Sequence, residues 1–187
     1  MSIFINKTLK NSVLSIQFSC TPFEDWKLKE KDMRKLIMLS AFPASGKTTW
    51  AKSYQKEHEN VYILNSDDIR LELTAGDYHD RSKQAQVWET FDRRIHEIGQ
   101  LDNITLILDA VNDTNEVRLK YLSTTPEYDY KVLVMFPSTL ERSKTFNSRR
   151  PPKCRVPDDI IEMMFKKFEQ PSEEVLSLVN EVVEVRW

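Results

Sequence analysis

Short apolar runs recur along this chain, and longer amphipathic stretches separate them. KLIMLSA (35–41), VYILN (61–65), ITLILD (104–109) and KVLVMF (131–136) are almost continuously apolar. Runs of this length without polar alternation suit strands of a parallel sheet covered on both faces. VVEVRW (182–187) is a weaker fifth. Between them the apolar positions fall at helical spacing over roughly 47–58, 67–74, 80–101, 114–122, 138–148, 158–169 and 172–180. Strand and helix alternating in this way predict right-handed βαβ units and a doubly wound α/β sheet of about five parallel strands. SDDIR (66–70) and VPDDII (156–161) open with polar residues or proline, as helix starts do, and Ser66 is the expected N-cap of the first.

Residues 1–34 lie outside that alternation. SIFIN and VLSIQF could pair as a hairpin. Thr21, Pro22 and Glu24 have the spacing of a capping box and predict a helix over about 22–32. The chain therefore divides into an N-terminal extension (1–34) and a main α/β domain (35–187).

Composition narrows the class. The chain has 187 residues, 40% hydrophobic and 30% charged, which is ordinary for one globular domain with a full core. No apolar run approaches the roughly 18 residues of a membrane span, and lysines interrupt what would be the core of a secretion signal. No membrane partner is expected. Cys20 and Cys154 have neither metal nor redox spacing, and a reducing, cytoplasmic setting follows. A net charge of −2 argues against coating long nucleic acid but leaves room for gripping a few phosphates. The charge is uneven: from Arg142 to Arg155 every charged residue is basic.

LSAFPASGKTTWA (39–51) follows the first main strand and opens a helix. It has the G-x-x-x-x-G-K-[ST] pattern of a phosphate-binding loop except that Ala41 replaces the first glycine. Such a loop turns backbone N–H groups and the positive end of the helix dipole toward phosphate oxygens. Ala44, Ser45, Gly46, Lys47, Thr48 and Thr49 are the candidate ATP contacts. Gly46 allows close backbone approach, Lys47 reaches the β- and γ-phosphates, and Thr48 offers its hydroxyl to Mg²⁺. Ala41 is tolerable provided its φ is negative, since only positive φ demands glycine.

Three further segments refine this. LNSDDIR places Asp67 and Arg70 just past a strand's carboxyl end, where open α/β sheets bind ligands. Three residues apart on a helix, they share a face: Asp67 can take a hydroxyl proton while Arg70 grips an adjoining phosphate. LILDAVND ends a strand at Asp109 without the following acid that hydrolytic motors use to activate water. LERSKTFNSRRPP is a basic helix ended by prolines, positioned as the lid of nucleotide kinases, with Arg149 and Arg150 as the residues that close over ATP.

Taken in order, PASGKTTWA, LNSDDIR, LILDAVN, FNSRR and VPDDIIEMMFKKFE resemble the kinase domain of phage-type 5′-polynucleotide kinases over about residues 35–170. The resemblance implies a P-loop kinase fold and ATP-dependent phosphorylation of a 5′-hydroxyl end of DNA or RNA. It implies ATP and Mg²⁺ at Lys47 and Thr48, Asp67 as general base, Arg70 on the acceptor's 3′-phosphate, Asp109 in support and Arg150 as the lid arginine. It is also compatible with a viral protein acting inside a host cell. The sequence departs from the family at Ala41, at Phe146 where the family has a second lid arginine, and at DAVN. It lacks a D-x-D-G-T signature, so 3′-phosphatase activity is not expected. A kinase of another hydroxyl (a hydroxymethylated base in DNA, a nucleoside or a small metabolite) and a non-catalytic nucleotide-binding module are the alternatives.

Overall fold

The computed structural model describes residues 4–9 and 33–186. The elements run β1 (Phe4–Leu9), β2 (Lys35–Ala41), α1 (Lys47–Glu57), β3 (Val61–Asn65), α2 (Ser66–Leu73), α3 (Gln84–Ile98), β4 (Thr105–Asp109), α4 (Asn115–Ser123), β5 (Tyr130–Phe136), α5 (Leu140–Ser148), a 3₁₀ turn (Pro152–Cys154), α6 (Asp158–Lys167), α7 (Glu173–Ser177) and β6 (Glu181–Arg186). The sheet order is β1-β6-β5-β2-β4-β3. Five strands are parallel, and β1 is antiparallel on β6.

The expected parallel strands are all present, β6 included, and β2 lies at the centre. Its side chains alternate between two apolar layers. Leu36 and Met38 join Leu106, Leu108, Leu133 and the inner faces of α3 and α4. Ile37, Leu39 and Ala41 join Ile107, Val132, Val134, Phe136 and Ala51 of α1. Burial on both faces explains why these strands read as unbroken apolar runs.

Differences from the sequence reading have local causes. Asn65, not Ser66, caps α2: its Oδ1 accepts from the N–H groups of Asp67 (2.7 Å) and Asp68 (3.3 Å). Helix α3 starts at Gln84 rather than about 80 because Asp80 Oδ1 takes the N–H of Ser82 (2.7 Å) and holds a turn there. Helix α7 stops at Ser177, since the Asn180 N–H is already committed to Lys131 O (2.8 Å) at the start of β6's pairing with β5. The first strand expected at the N-terminus corresponds to β1, which pairs with β6. Its expected hairpin partner and the helix over 22–32 lie outside the described residues. Among the described residues no helix is long and apolar enough to cross a membrane.

Candidate active site

Parallel strands deliver β2, β4 and β3 to one edge of the sheet, so the segments after them are neighbours by construction. With strands about 4.8 Å apart, the loop after β2 and the start of α2 after β3 lie about 10 Å from each other.

Ala41 closes β2 in extended conformation, paired with Phe136, and its N–H donates to Val111 O (3.1 Å). Its φ is not positive, as the missing glycine requires. The left-handed backbone falls on Ala44 (φ 58°) and Gly46 (φ 93°). Gly46 then precedes α1, whose start has no side-chain cap and no acidic residue in its first turn. The N–H groups of Lys47, Thr48 and Thr49 thus have no intrahelical acceptor, whereas α2, α4, α5 and α7 are capped by Asn65, Thr114, Thr139 and Ser172. Ser45 Oγ is buried without a partner in the same loop. Open donors at a helix start and an orphaned hydroxyl fit a phosphate ligand. Left-handed alanine costs about 1 kcal/mol or more. Ala44→Gly removes that cost but loosens the unfolded chain, so we expect a net gain of roughly 0.5 kcal/mol, read by urea unfolding.

The loop is braced from behind. Phe42 stacks on Phe165 (4.6 Å between centroids) and packs at a tilt against Phe168 (4.5 Å) at the end of α6. Arg118 of α4 is fully buried and donates to Ser40 Oγ (2.9 Å), Asn112 O (3.0 Å) and Asp113 O (3.2 Å), with its guanidinium 5.2 Å from the Phe168 ring. Burial depresses the Arg118 pKa, and Asp113 and Glu169 partly offset this. Asn112 takes a left-handed turn (φ 46°), and its Nδ2 donates to Leu39 O (2.7 Å). This pins the strand end that carries the loop to the segment after β4.

The cap residue Asn65 also ties α2 to β4, since its Nδ2 donates to Asp109 Oδ2 (2.6 Å). Asp109 is buried, and its Oδ1 has no partner. Asp68 lies within electrostatic range of this group. Burial raises its carboxyl pKa, Lys52 of α1 lowers it, and Asp109 and Asp67 raise it further. A partnerless carboxylate oxygen near a second acid, beside the loop carrying Thr48, has the hard oxygen donors that suit Mg²⁺.

Asp67 and Arg70 form an ion pair across one turn of α2. The Arg70 side chain is only 3% exposed, and its Nε has no partner. Its NH2 donates to Gln84 Oε1 (3.2 Å), which also accepts from Arg81 NH1 (3.1 Å). Burial depresses the Arg81 pKa, repulsion from Arg70 adds to this, and Asp67 opposes it. Two guanidiniums therefore share one amide oxygen beside one carboxylate.

Asp67 and Arg81 line a cleft of about 260 Å³ with Arg150, Arg155, Tyr78 and His79. Cys154, Val156, Pro157 and Ile160 form its other wall. Asn147 clasps that wall: its Nδ2 donates to Val156 O (2.7 Å) and its Oδ1 accepts from Val156 N (3.0 Å). Arg155 Nε donates to Arg150 O (2.8 Å). Tyr78 reaches across to Cys154; burial raises its hydroxyl pKa, and the thiol, Asp68 and Asp67 raise it further.

Of the residues singled out in the sequence, Asp67 and Arg150 share this cleft, and Arg70 backs it. Lys47, Thr48 and Thr49 sit in the phosphate loop and do not line the cleft. Arg149 lies outside the cleft against Phe146. Sequence reasoning missed Asn65, Arg81, Gln84, Asn112, Arg118 and Asn147. Only Asn65 had a signal, as a capping residue one position before Ser66.

A central strand feeding a phosphate-loop sequence, a carboxylate at the start of the helix after β3 and an arginine-bearing segment after β5 are the features of a P-loop kinase domain. The chain belongs to the AAA domain family AAA_33, whose model matches residues 36–171. Solved structures show the same fold. A chain of the Pnkp1/Rnl/Hen1 RNA repair complex matches with a TM-score of 0.63 and 21% identity over 73% of this chain and 44% of that one. Kti12 of Chaetomium thermophilum, in complex with ADP-AlF3, matches at 0.58 and 18% over 81% and 89%. Shikimate kinase from Acinetobacter baumannii matches at 0.54 and 12% over 86% and 88%. The chain thus spans less than half the length of the RNA repair chain.

Proposed function

We propose that this domain transfers the γ-phosphoryl group of ATP to a 5′-hydroxyl end of a polynucleotide. The observation that carries the reading is the Arg70–Gln84–Arg81 cluster beside Asp67. A neutral sugar or alcohol gives two adjacent guanidiniums nothing to neutralise. An acceptor with a phosphate close to its reacting hydroxyl brings an anion to Arg81 in the cleft wall, with Arg70 behind it, and a nucleotide at the 5′ end of a strand is such an acceptor.

The phosphate loop holds the donor's phosphates on its open N–H groups and on Lys47. Thr48, with Asp109 nearby, would hold Mg²⁺, which when bound neutralises charge on the β- and γ-phosphate oxygens. Asp67 accepts the proton of the acceptor hydroxyl. The oxygen forms its bond to the γ-phosphorus as the bond to the bridging oxygen breaks, and ADP leaves. Arg150 reaches from the lid to the charge on the transferring group. Asp67 can be a modest base here, because phosphoryl transfer depends mainly on positioning and charge neutralisation.

A panel assay with labelled ATP tests this: 5′-hydroxyl DNA and RNA oligonucleotides, hydroxymethylated DNA, nucleosides, shikimate and gluconate. We expect label on the 5′-hydroxyl oligonucleotides. Transfer only to an unphosphorylated small molecule overturns the reading and favours a metabolite kinase, the reading supported by the likeness to shikimate kinase. ATP binding without acceptor-dependent ADP release would point to a non-catalytic module. Arg81→Ala removes one charge-assisted contact, worth about 1.5–3 kcal/mol. Steady-state kinetics should show the acceptor KM raised roughly 10- to 100-fold with little change in the KM for ATP.

A further inference from the structure

Phe146 lies on helix α5, four residues before Arg150, which follows the helix end and lines the cleft. It is 40% exposed, and two guanidiniums pack against its ring: Arg142 at 5.4 Å and Arg149 at 5.1 Å from the centroid. Among the described residues no carboxylate pairs with Arg142, Arg149, Arg150 or Arg155, whereas Lys144 in the same stretch is paired with Glu162 and Asp158. An exposed aromatic ring thus stands among guanidiniums that have no carboxylate partner among the described residues, on the segment that also carries Arg150.

We propose that Phe146, with Arg142 and Arg149, is a stacking platform for single-stranded nucleic acid, namely the strand that continues from the acceptor nucleotide beyond the cleft. Non-specific single-strand sites combine an aromatic face, on which any base stacks, with cations that track the backbone. The guanidiniums hold the ring upright by cation–π contact and meet the phosphates on either side of the stacked base. Charge complementarity selects a polyanion. Four residues separate the ring from Arg150, which follows the end of α5 and lines the cleft, so platform and cleft stand on one continuous segment. The proposal rests on the polynucleotide reading and adds a contact outside the reacting nucleotide.

The test compares wild type, Phe146→Ala, Phe146→Trp and Arg142→Ala on two acceptors, a nucleoside 3′-monophosphate and a single-stranded 5′-hydroxyl oligonucleotide of about twelve nucleotides, a length within typical site sizes. Phe146→Ala should raise the KM of the oligonucleotide about 10-fold, as loss of one stacked base implies. It should leave the mononucleotide KM and the ATP KM within about 2-fold, and Phe146→Trp should restore wild-type behaviour. Arg142→Ala should flatten the salt dependence of oligonucleotide binding. An unchanged oligonucleotide KM, or an equal rise for the mononucleotide, overturns the platform. A raised ATP KM also overturns it and assigns the ring to the donor's base. If wild type phosphorylates neither acceptor, the polynucleotide reading fails. Fluorescence anisotropy of the labelled single strand then decides the platform by itself: weaker binding by Phe146→Ala supports it, and equal binding removes it.

Discussion

Asp67→Asn is expected to lower turnover by roughly 10²- to 10⁴-fold, the range a positioned general base contributes, while ATP binding stays within about 2-fold. The substitution keeps the shape of the side chain. It also leaves the α2 cap intact, because the cap is the Asn65 side chain acting on backbone N–H groups. What it removes is the charge that balances Arg70 and, on the proposed mechanism, receives the hydroxyl proton. Single-turnover kinetics with labelled ATP, together with nucleotide binding by calorimetry, separate the two effects. A wild-type rate in the variant would remove Asp67 from the chemistry and leave Asp68, on the same turn and coupled to Asp109, as the carboxylate to examine.

Lys47→Ala is expected to cost about 10²-fold or more in kcat, the scale seen when one electrostatic contact to a developing charge is lost. The lysine begins α1, where no side chain supplies a cap, so its backbone N–H stays in place after truncation. The loop should therefore keep its fold and much of its affinity for nucleotide while losing the charge on the phosphate tail. Equal losses in kcat and kcat/KM would place the contact in the transition state, and a rise in KM alone would make it a ground-state grip.

The sheet could be read from the sequence because β2, β4 and β5 are buried on both faces, and apolar residues dominate there. The phosphate loop was readable because its signature, Gly46, Lys47 and Thr48, is contiguous in sequence and sits between a strand and a helix. Asp67 and Arg70 could be paired because three residues on a helix fix their relation. Arg81 and Gln84 belong to the same cluster but could not be found this way, since the turn at Asp80 that brings Arg81 back toward Arg70 is a tertiary outcome. Arg118 reads as one more charge on an amphipathic helix. Its complete burial depends on carbonyls donated by the segment after β4 and on Ser40, far away in sequence. Asn147 is similar, a polar residue near a helix end whose partner, Val156, lies beyond two prolines.

The ion pair between Asp67 and Arg70 has a consequence for the enzyme at rest. On the proposed mechanism one oxygen of the proton acceptor is engaged before any strand arrives, and an incoming phosphate competes for the same guanidinium. Docking of the correct partner then loosens the carboxylate at the moment it is needed. Water brings no anion and leaves that pair intact, so idle ATP hydrolysis should be slow.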